Sequence, residues 1–315
     1  MKLNMEYADR AEVIILSDNH CEQVILGSDM VERPGALTAK PGETEVELKA
    51  EHGFSCAVRL FKGDERHSIM LDVGRSGSVA VENASWVGFD LKEIETLVLS
   101  HGHWDHVGGI SKLAKEFNKP VKVVVHPDAF LTRYVTQADG GKLRFPDFRP
   151  DLFSEKEVIF ETHKNPVLLA NNLIATTGEI PRVTEYEKGF PPQLAVRHNK
   201  LVPDIQVWDD QSIVFILKDK GPVIISGCGH SGIVNTVRYC LELTGFTKPL
   251  AVIGGFHLCW PTPETVVRAT LDDLKEYSPN YIVPCHCTGW ETTCKIAREM
   301  PESFILSTVG CTISL

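Results

Sequence analysis

The sequence lacks the features that mark membrane-spanning, secreted or nucleic-acid-binding chains. It has no run of about 20 apolar residues, the length that a bilayer-spanning helix needs. The first 18 residues have neither the basic start nor the apolar core of a signal peptide. Lys and Arg form no tract, and 42 acidic against 32 basic residues give a formal net charge of −10. We therefore expect a cytoplasmic protein that binds neither membrane nor nucleic acid.

Disulfide bonds are also unexpected. The chain has nine cysteines, an odd number, and a disulfide framework is typical of much shorter secreted chains than its 315 residues. Hydrophobic residues make up 43% of the sequence, which is enough for a sizeable core. We predict a single α/β domain over residues 1–315, since one layered domain of this length is common. A homo-oligomer is compatible with this composition.

Proline is concentrated in the middle of the chain. Eight of the 18 prolines lie between residues 127 and 203, where hydrophobic periodicity is weak. We interpret residues 127–210 as an inserted cap or loop region over a site, with a solvated surface excursion as the alternative. Short apolar runs alternate with helical patterns on both sides of this region. The predicted strands are 54–61, 68–73, 95–99, 121–125, 212–217, 223–225, 251–253 and 281–283, and helical patterns cover 107–117, 231–243 and 291–299.

The most specific pattern is a histidine-rich turn between a predicted strand and a predicted helix. It contains His101, His103, Asp105 and His106. Buried together without a metal, three imidazoles would need many hydrogen-bond partners, and protonated together they would repel one another. Alternating positions in such a turn point in different directions. The pattern therefore suits two adjacent metal ions, each with several nitrogen or oxygen ligands.

Three later predicted strands also end in turns that carry histidine or cysteine. These turns contain Cys228 and His230, then His257, and finally His286 between two cysteines. Ligands bind at the carboxyl ends of strands in open α/β sheets, so the three turns are candidates for one site. A single histidine of this kind is usually a core residue, and it is the repetition that favours a shared function.

Glycines flank Cys228 immediately before a predicted helix. Gly229 and Ser231 would then present free backbone amides to an anion such as a substrate phosphate. The alternative is a tight strand-to-helix turn, which also needs glycine.

The His-x-His-x-Asp-His turn after a strand resembles the metallo-β-lactamase superfamily. That resemblance implies an αββα sandwich of two mixed β-sheets with a metal site between them. Asp72, at the end of a strand and followed by Val and Gly, matches an earlier motif of the superfamily and would support the histidine turn. Further segments resemble the branch that includes the archaeal dihydropterin–ribofuranosylaminobenzene phosphate synthases; they are residues 51–55, 82–84, 100–109, 227–236 and 254–258.

The resemblance also implies a ligand set. His101 and His103 match the ligands of a first metal, and Asp105 and His106 match those of a second. The late strand-end ligand corresponds to His286, and Cys228 stands where the superfamily has a bridging Asp. Many relatives have a Gly-His turn where this chain has glycine followed by Glu179. The remaining ligand of the first metal is therefore open among Glu179, His230 and His257.

The implied cofactor is a pair of divalent ions, with zinc favoured and iron, manganese or magnesium as alternatives. Asp105 would both bind metal and orient the nucleophile. The expected activity is hydrolysis or group transfer on a phosphorylated small molecule, with a pterin among the candidates. The late cysteines leave a second class open, an iron–sulfur or iron-binding redox protein on the same scaffold; they are Cys228, Cys259, Cys285, Cys287, Cys294 and Cys311.

Overall fold

The computed structural model describes residues 2–35, 47–117 and 119–315. Its strands are β1 (Tyr7–Ala8), β2 (Arg10–Ser17), β3 (Val31–Glu32), β4 (Ser55–Lys62), β5 (Glu65–Leu71), β6 (Thr96–Val98), β7 (Val121–Val125), β8 (Arg133–Thr136), β9 (Lys142–Arg144), β10 (Val158–Thr162), β11 (Val167–Leu169), β12 (Ile174–Thr176), β13 (Gln193–Arg197), β14 (Lys200–Pro203), β15 (Ser212–Leu217), β16 (Gly221–Ser226), β17 (Ala251–Gly255), β18 (Tyr281–Cys285) and β19 (Thr312–Ser314). Its helices are α1 (Ser78–Trp86), α2 (Trp104–Val107), α3 (Ile110–Leu113), α4 (Ile233–Thr244), α5 (Glu264–Tyr277) and α6 (Trp290–Glu299).

Most strands belong to two large mixed sheets. The amino-terminal sheet has the order β10-β7-β6-β5-β4-β2-β19-β3, in which β5, β6, β7 and β10 run parallel. The carboxy-terminal sheet has the order β11-β12-β15-β16-β17-β18, with β1 added beside β15. In this sheet β16, β17 and β18 run parallel. Both sheets therefore send several strand carboxyl ends in one direction.

The main core lies between these sheets because each strand alternates its faces. In β4, Val58 packs toward the other sheet and Ala57 packs toward the helices. In β15, Phe215 packs toward the other sheet and Val214 packs toward the helices. Helices α1 to α3 contribute to the outer layer on the amino-terminal sheet, and α4 to α6 contribute to that on the carboxy-terminal sheet. The predicted αββα sandwich of two mixed sheets is confirmed.

The helical pattern at 107–117 is interrupted in the structure. It is divided between α2, α3 and a short 3-10 turn, with Gly108 and Gly109 between the two helices. A Cβ atom on Gly109 would lie only 2.2 Å from the carbonyl oxygen of Val73, so the chain must pass this point without a side chain. Hydrophobic spacing carries no information on that close approach.

The proline-rich region contains regular structure that its weak periodicity did not indicate. Strands β8, β9, β13 and β14 form a small antiparallel sheet of their own. Between them in sequence, β10 joins the amino-terminal sheet and β11 and β12 join the carboxy-terminal sheet. The assignment of 127–210 as an inserted cap stays a prediction. In the described ranges, no helix combines the length and apolar character needed to cross a membrane.

Candidate metal centre

The turns that follow β5, β6, β16, β17 and β18 converge at one edge of the two sheets. Three of their residues, Asp72, His257 and His286, have positive φ angles of 59°, 44° and 46°. Such conformations cost about 1–3 kcal/mol each in non-glycine residues and persist where the surrounding structure imposes them. Backbone strain is therefore present at this edge, although positive φ angles also occur elsewhere in the described residues, as at Ala170 and Asn171.

Asp72 holds the histidine turn in place. Its Oδ1 accepts a hydrogen bond from the Ser100 amide at 2.7 Å, and its Oδ2 accepts one from the Ser100 hydroxyl at 2.7 Å. Asp72 Oδ2 also lies 2.6 Å from His106 Nδ1, and both side chains are fully buried. A carboxylate on Nδ1 fixes the proton there and leaves Nε2 of His106 as a free lone pair.

The deepest part of the centre consists of imidazoles. The ligand atoms of His101, His103 and His230 all lie within 4.8 Å of one another. His230 Nε2 is 3.1 Å from His103 Nδ1, and the other nitrogen of His103 contacts Gln193 Oε1. Of the three candidates for the remaining ligand of a first metal, the geometry favours His230.

Asp105 is the centre of a second group. Its Oδ2 lies 3.2 Å from His286 Nε2, 3.4 Å from His52 Nε2 and 3.8 Å from His106 Nε2. His286 Nδ1 lies 3.1 Å from Asn19 Oδ1, which places its proton on Nδ1 and directs Nε2 toward the site. The His52 side chain is 55% exposed, so this group opens toward solvent whereas the first group does not.

Cys228 lies between the two groups. Its sulfur is within 4.8 Å of ligand atoms in three combinations of neighbours, which are His101 with His106, His230 with His257, and His286 with Cys287. Burial raises the pKa of the Cys228 thiol, and contact with Cys287 adds to this effect. Cys228 therefore has the central position that a ligand must have if it replaces the bridging Asp of the superfamily.

The residues present fit a metal centre because several buried nitrogens have no hydrogen-bond partner. A buried nitrogen without a partner costs about 1–3 kcal/mol, so a group of them indicates a ligand. Metal ions would satisfy all of them at once. The atoms are Nε2 of His101, His106, His257 and His286, and Nδ1 of His230.

Burial also sets the protonation state of these imidazoles. It lowers the pKa of His103 to about 4 and that of His257 to about 3, and nearby positive charge contributes further. The pKa of His101 falls well below its usual value for the same reasons. His106 is the exception, because Asp72 and Asp105 outweigh burial and raise its pKa. Most of the histidines are therefore neutral near pH 7, the form that binds metal.

Glu179 lies outside this centre, which corrects the expectation that it takes part. Its Oε1 is 3.0 Å from His126 Nε2 and 3.1 Å from Lys164 Nζ. Among the described residues it belongs to no candidate ligand group. The turn after β12 directs Glu179 toward the histidine that follows β7, and the two neighbouring side chains already satisfy its charge.

The expectation that Ser231 binds a substrate phosphate stays a prediction, which its present contacts do not favour. Its amide and hydroxyl already donate to Asp210 Oδ2, at 2.8 and 2.6 Å. The first amides of α4, on Val234 and Asn235, donate to the Glu187 carboxylate at 2.9 Å each. Protein carboxylates therefore occupy the helix terminus that sequence reasoning left free for an anion.

Gly229 lines a cavity of about 390 Å³ beside His230 and His257. Phe190 and Phe256 contribute aromatic walls to this cavity, and most of its other lining is apolar. An elongated organic group could therefore lie against the deep imidazoles.

Three groups at the centre were not predicted from the sequence. They are His52, Gln193 and the buried pair of Arg133 and Asp209, whose carboxylate accepts a hydrogen bond from the Gly102 amide at 2.8 Å. The motif around His52 was noted only as part of a family resemblance. Gln193 lies in the proline-rich region, where nothing in the local pattern marks it as a partner of His103.

An αββα sandwich with histidine, aspartate and cysteine ligands at one sheet edge defines a class of metal-binding proteins. Within that class, the chain belongs to the metallo-beta-lactamase superfamily, whose family model matches residues 53–240. The resemblance predicted from the histidine turn is thereby confirmed.

The chain is similar to two proteins of Methanocaldococcus jannaschii. One is 7,8-dihydropterin-6-methyl-4-(beta-D-ribofuranosyl)-aminobenzene-5'-phosphate synthase, with 29% identity over 81% of this chain and 87% of the relative. The other is the uncharacterized protein MJ0448, with 30% identity over 84% of this chain and 94% of the relative. The crystal structure of Tm1679, a metal-dependent hydrolase of the beta-lactamase superfamily, shares the fold. Its TM-score is 0.72 at 21% identity, covering 97% of this chain and 98% of that one.

Proposed function

We propose that this protein is a metal-dependent enzyme that displaces a leaving group on a phosphorylated small molecule carrying a flat heterocycle. The observation that carries the proposal is the convergence of unpartnered imidazole nitrogens, Cys228 and Asp105 beside a largely apolar cavity. Such a set has no purpose in packing, because a buried polar atom without a partner destabilises the fold.

The chain offers two adjacent sets of ligands. His101, His103 and His230 would hold one divalent ion, and a second set would hold another with Cys228 between them. Zinc is the favoured ion for these nitrogen and sulfur donors, and iron, manganese or magnesium are alternatives. When bound, the ions would supply Lewis acidity toward phosphoryl oxygens and lower the pKa of an attacking water. The second set consists of Asp105, His106 and His286.

Asp105 is the residue that we assign to orienting the attacking group. Burial alone would raise the pKa of its carboxyl group, but the neighbouring imidazoles of His106 and His286 outweigh burial and hold that pKa well below the usual range. It therefore stays a carboxylate throughout the neutral pH range and can accept a hydrogen bond from a nucleophile. Its neighbour His52 is exposed, so solvent reaches this side of the centre.

The cavity supports the choice of a heterocyclic substrate. Phe190 and Phe256 provide apolar surface on which a pterin ring could pack, and His230 and His257 line the same cavity. The similarity to an archaeal dihydropterin synthase favours transfer, in which an aromatic carbon or amine displaces diphosphate from a pterin. Hydrolysis of a phosphoester is the second candidate. The similarity to a metal-dependent hydrolase does not favour it, because that similarity concerns only the fold.

A comparison of two substrates separates these candidates. Protein reconstituted with zinc, manganese or iron is assayed with a dihydropterin diphosphate plus an aminobenzene ribosyl phosphate, and separately with a generic phosphodiester. Transfer predicts a pterin–aminobenzene product that depends on both partners. Turnover of the phosphodiester with no need for a pterin would exclude the transferase and leave a hydrolase, and metal-loaded protein inactive on both would contradict the proposal as a whole.

The cellular setting belongs to the same proposal. We propose a cytoplasmic enzyme whose partner is a small phosphorylated molecule, since the sequence has no Lys or Arg tract of the kind that binds nucleic acid.

A further inference from the structure

Two cysteine side chains meet at the metal centre. The sulfur atoms of Cys228 and Cys287 lie 2.8 Å apart, and the Cys287 thiol also donates to the carbonyl oxygen of Cys228 at 3.1 Å. Both residues are buried, at 3% and 7% exposure. Their sulfurs and the ligand nitrogen of His286 all lie within 4.8 Å of one another.

The topology of the carboxy-terminal sheet creates this contact. Cys228 follows β16 and Cys287 follows β18, so a whole strand, β17, separates the two turns. That strand ends in Gly255, where a Cβ atom would lie 2.7 Å from the Cys287 sulfur and 2.4 Å from the carbonyl oxygen of Gly227. The missing side chain on the middle strand leaves the space in which the outer two turns can touch.

The other buried cysteines have a different environment. Cys56, Cys285 and Cys311 belong to the hydrophobic core between the sheets, and Cys240 packs in the core under α4. Among the described residues, Cys228 and Cys287 are the buried cysteines that belong to neither of these cores nor to the third. Filling apolar space, the usual role of a buried cysteine, does not account for them.

We propose that Cys287 is a second thiolate ligand of the metal centre, acting with Cys228 and His286. The inference rests on the proposed function only in sharing its metal centre. Binding of a divalent ion replaces two S–H bonds by two metal–sulfur bonds and releases two protons to solvent. Thiolates bind zinc at about 2.3 Å, so the two sulfur atoms must move apart from their present 2.8 Å separation to hold one tetrahedral ion. Two sulfur donors would bias the centre toward soft ions such as zinc, cobalt or cadmium over magnesium.

Cobalt(II) substitution tests this assignment without any substrate. Full-length protein is prepared anaerobically with all thiols reduced, loaded with Co(II), and examined for near-ultraviolet thiolate-to-cobalt charge-transfer absorption per bound ion. We expect Cys287→Ser to lose part of that absorption, Cys228→Ser to lose more because its sulfur lies between the two ions, and the double variant to lose essentially all of it. The matched control is Cys294→Ser, a partly exposed cysteine outside every candidate ligand group of the described residues, which should leave the spectrum unchanged.

The opposite result is equally clear. Full absorption in Cys287→Ser at full cobalt occupancy would overturn the proposal. If either variant fails to fold, alkylation of the unaltered protein gives a second readout. Zinc should protect Cys287 from iodoacetamide at least about tenfold, and equal labelling with and without zinc would overturn the assignment. Inactivity toward phosphorylated substrates would contradict the proposed function and leave this assignment intact.

Discussion

The two halves of the ligand set are built in different ways. The histidine turn supplies His101, His103, Asp105 and His106 from one short segment after β6, and polar side chains hold it. The strand-end turns supply Cys228, His230, His257 and His286 from three separate strands, and sheet topology holds them. The first half is local in sequence, whereas the second exists only in the folded chain.

The two halves also differ in their electrostatic support. On one side of the histidine turn, Asp72 accepts a hydrogen bond from the Ser100 amide. On the other side, the Asp209 carboxylate accepts a hydrogen bond from the Gly102 amide and forms an ion pair with buried Arg133. At the strand-end turns, imidazole rings lie against one another and against a thiol. For example, His257 Nδ1 lies 3.5 Å from the Cys228 sulfur. Unpartnered nitrogens remain in both halves, at His101 and His106 in the first and at His230, His257 and His286 in the second.

The largest effect is expected from replacing the carboxylate in the histidine turn. Asp105→Asn removes the charge on which three imidazoles converge, so kcat/KM should fall more than about 100-fold with loss of one bound metal per chain. Steady-state kinetics and elemental analysis measure the two effects. Asp64→Asn, in the exposed turn between β4 and β5, is the control. Unchanged metal content and activity in Asp105→Asn would contradict its role.

A smaller loss should follow from removing the support of the histidine turn. Asp72→Asn replaces the acceptor on His106 Nδ1 and should weaken zinc binding about 10–100-fold. Zinc titration against a competing chelator measures this. The matched control is Glu95→Gln, which alters a surface carboxylate 2.8 Å from His67. If both variants bind zinc like the unaltered protein, the turn does not depend on Asp72.

The strand-end half is tested by comparing its two neighbouring histidines. His230→Ala should weaken zinc binding about tenfold more than His257→Ala, because His230 joins His101 and His103 in the deep group. The same chelator titration, run on both variants, gives the ratio. A larger loss in His257→Ala would transfer the remaining ligand role to His257 and reverse the assignment.

The smallest effect concerns the pH dependence of metal-free protein. In the folded chain the pKa of His103 is about 4 and that of His257 is about 3, whereas both are near 6.5 in the unfolded chain. At a pH between the folded and unfolded values, the unfolded chain therefore binds more protons than the folded chain. The free energy of unfolding should therefore fall as pH decreases from about 6.5 toward 4. His106, whose pKa is raised, opposes this trend.

Urea unfolding of chelated protein at pH 7 and pH 5 measures the difference. A His103→Gln, His257→Gln double variant should show a flatter profile than the unaltered protein. Equal profiles would mean that these imidazoles are not held neutral in the folded chain.

The same contrast explains what the sequence could predict. His101 to His106 are adjacent in sequence, and strands such as 121–125 and 212–217 are long apolar runs, so pattern alone locates them. Gln193 and His52 reach the centre through long-range packing that leaves no local trace. The family resemblance leaves Glu179 open as one of three candidates for the remaining ligand, but the turn after β12 pairs it with His126 and Lys164.

The redox alternative stays a prediction, but the arrangement of the late cysteines gives it no support. In the part of the chain that the structure describes, no candidate ligand group contains more than two cysteines, and those two are Cys228 and Cys287. Cys285 and Cys311 lie in the core between the sheets instead. Side chains that alternate along a strand point to opposite faces, so closeness in sequence did not bring these thiols together.

The most direct test of the central claim is the metal content of anaerobically purified protein, together with its visible spectrum. A two-ion centre predicts about two divalent ions per chain and no acid-labile sulfide. Protein that binds no divalent ion even at saturating zinc would contradict the account. About four irons per chain, with matching sulfide and broad visible absorption, would contradict it as well and make electron transfer the function.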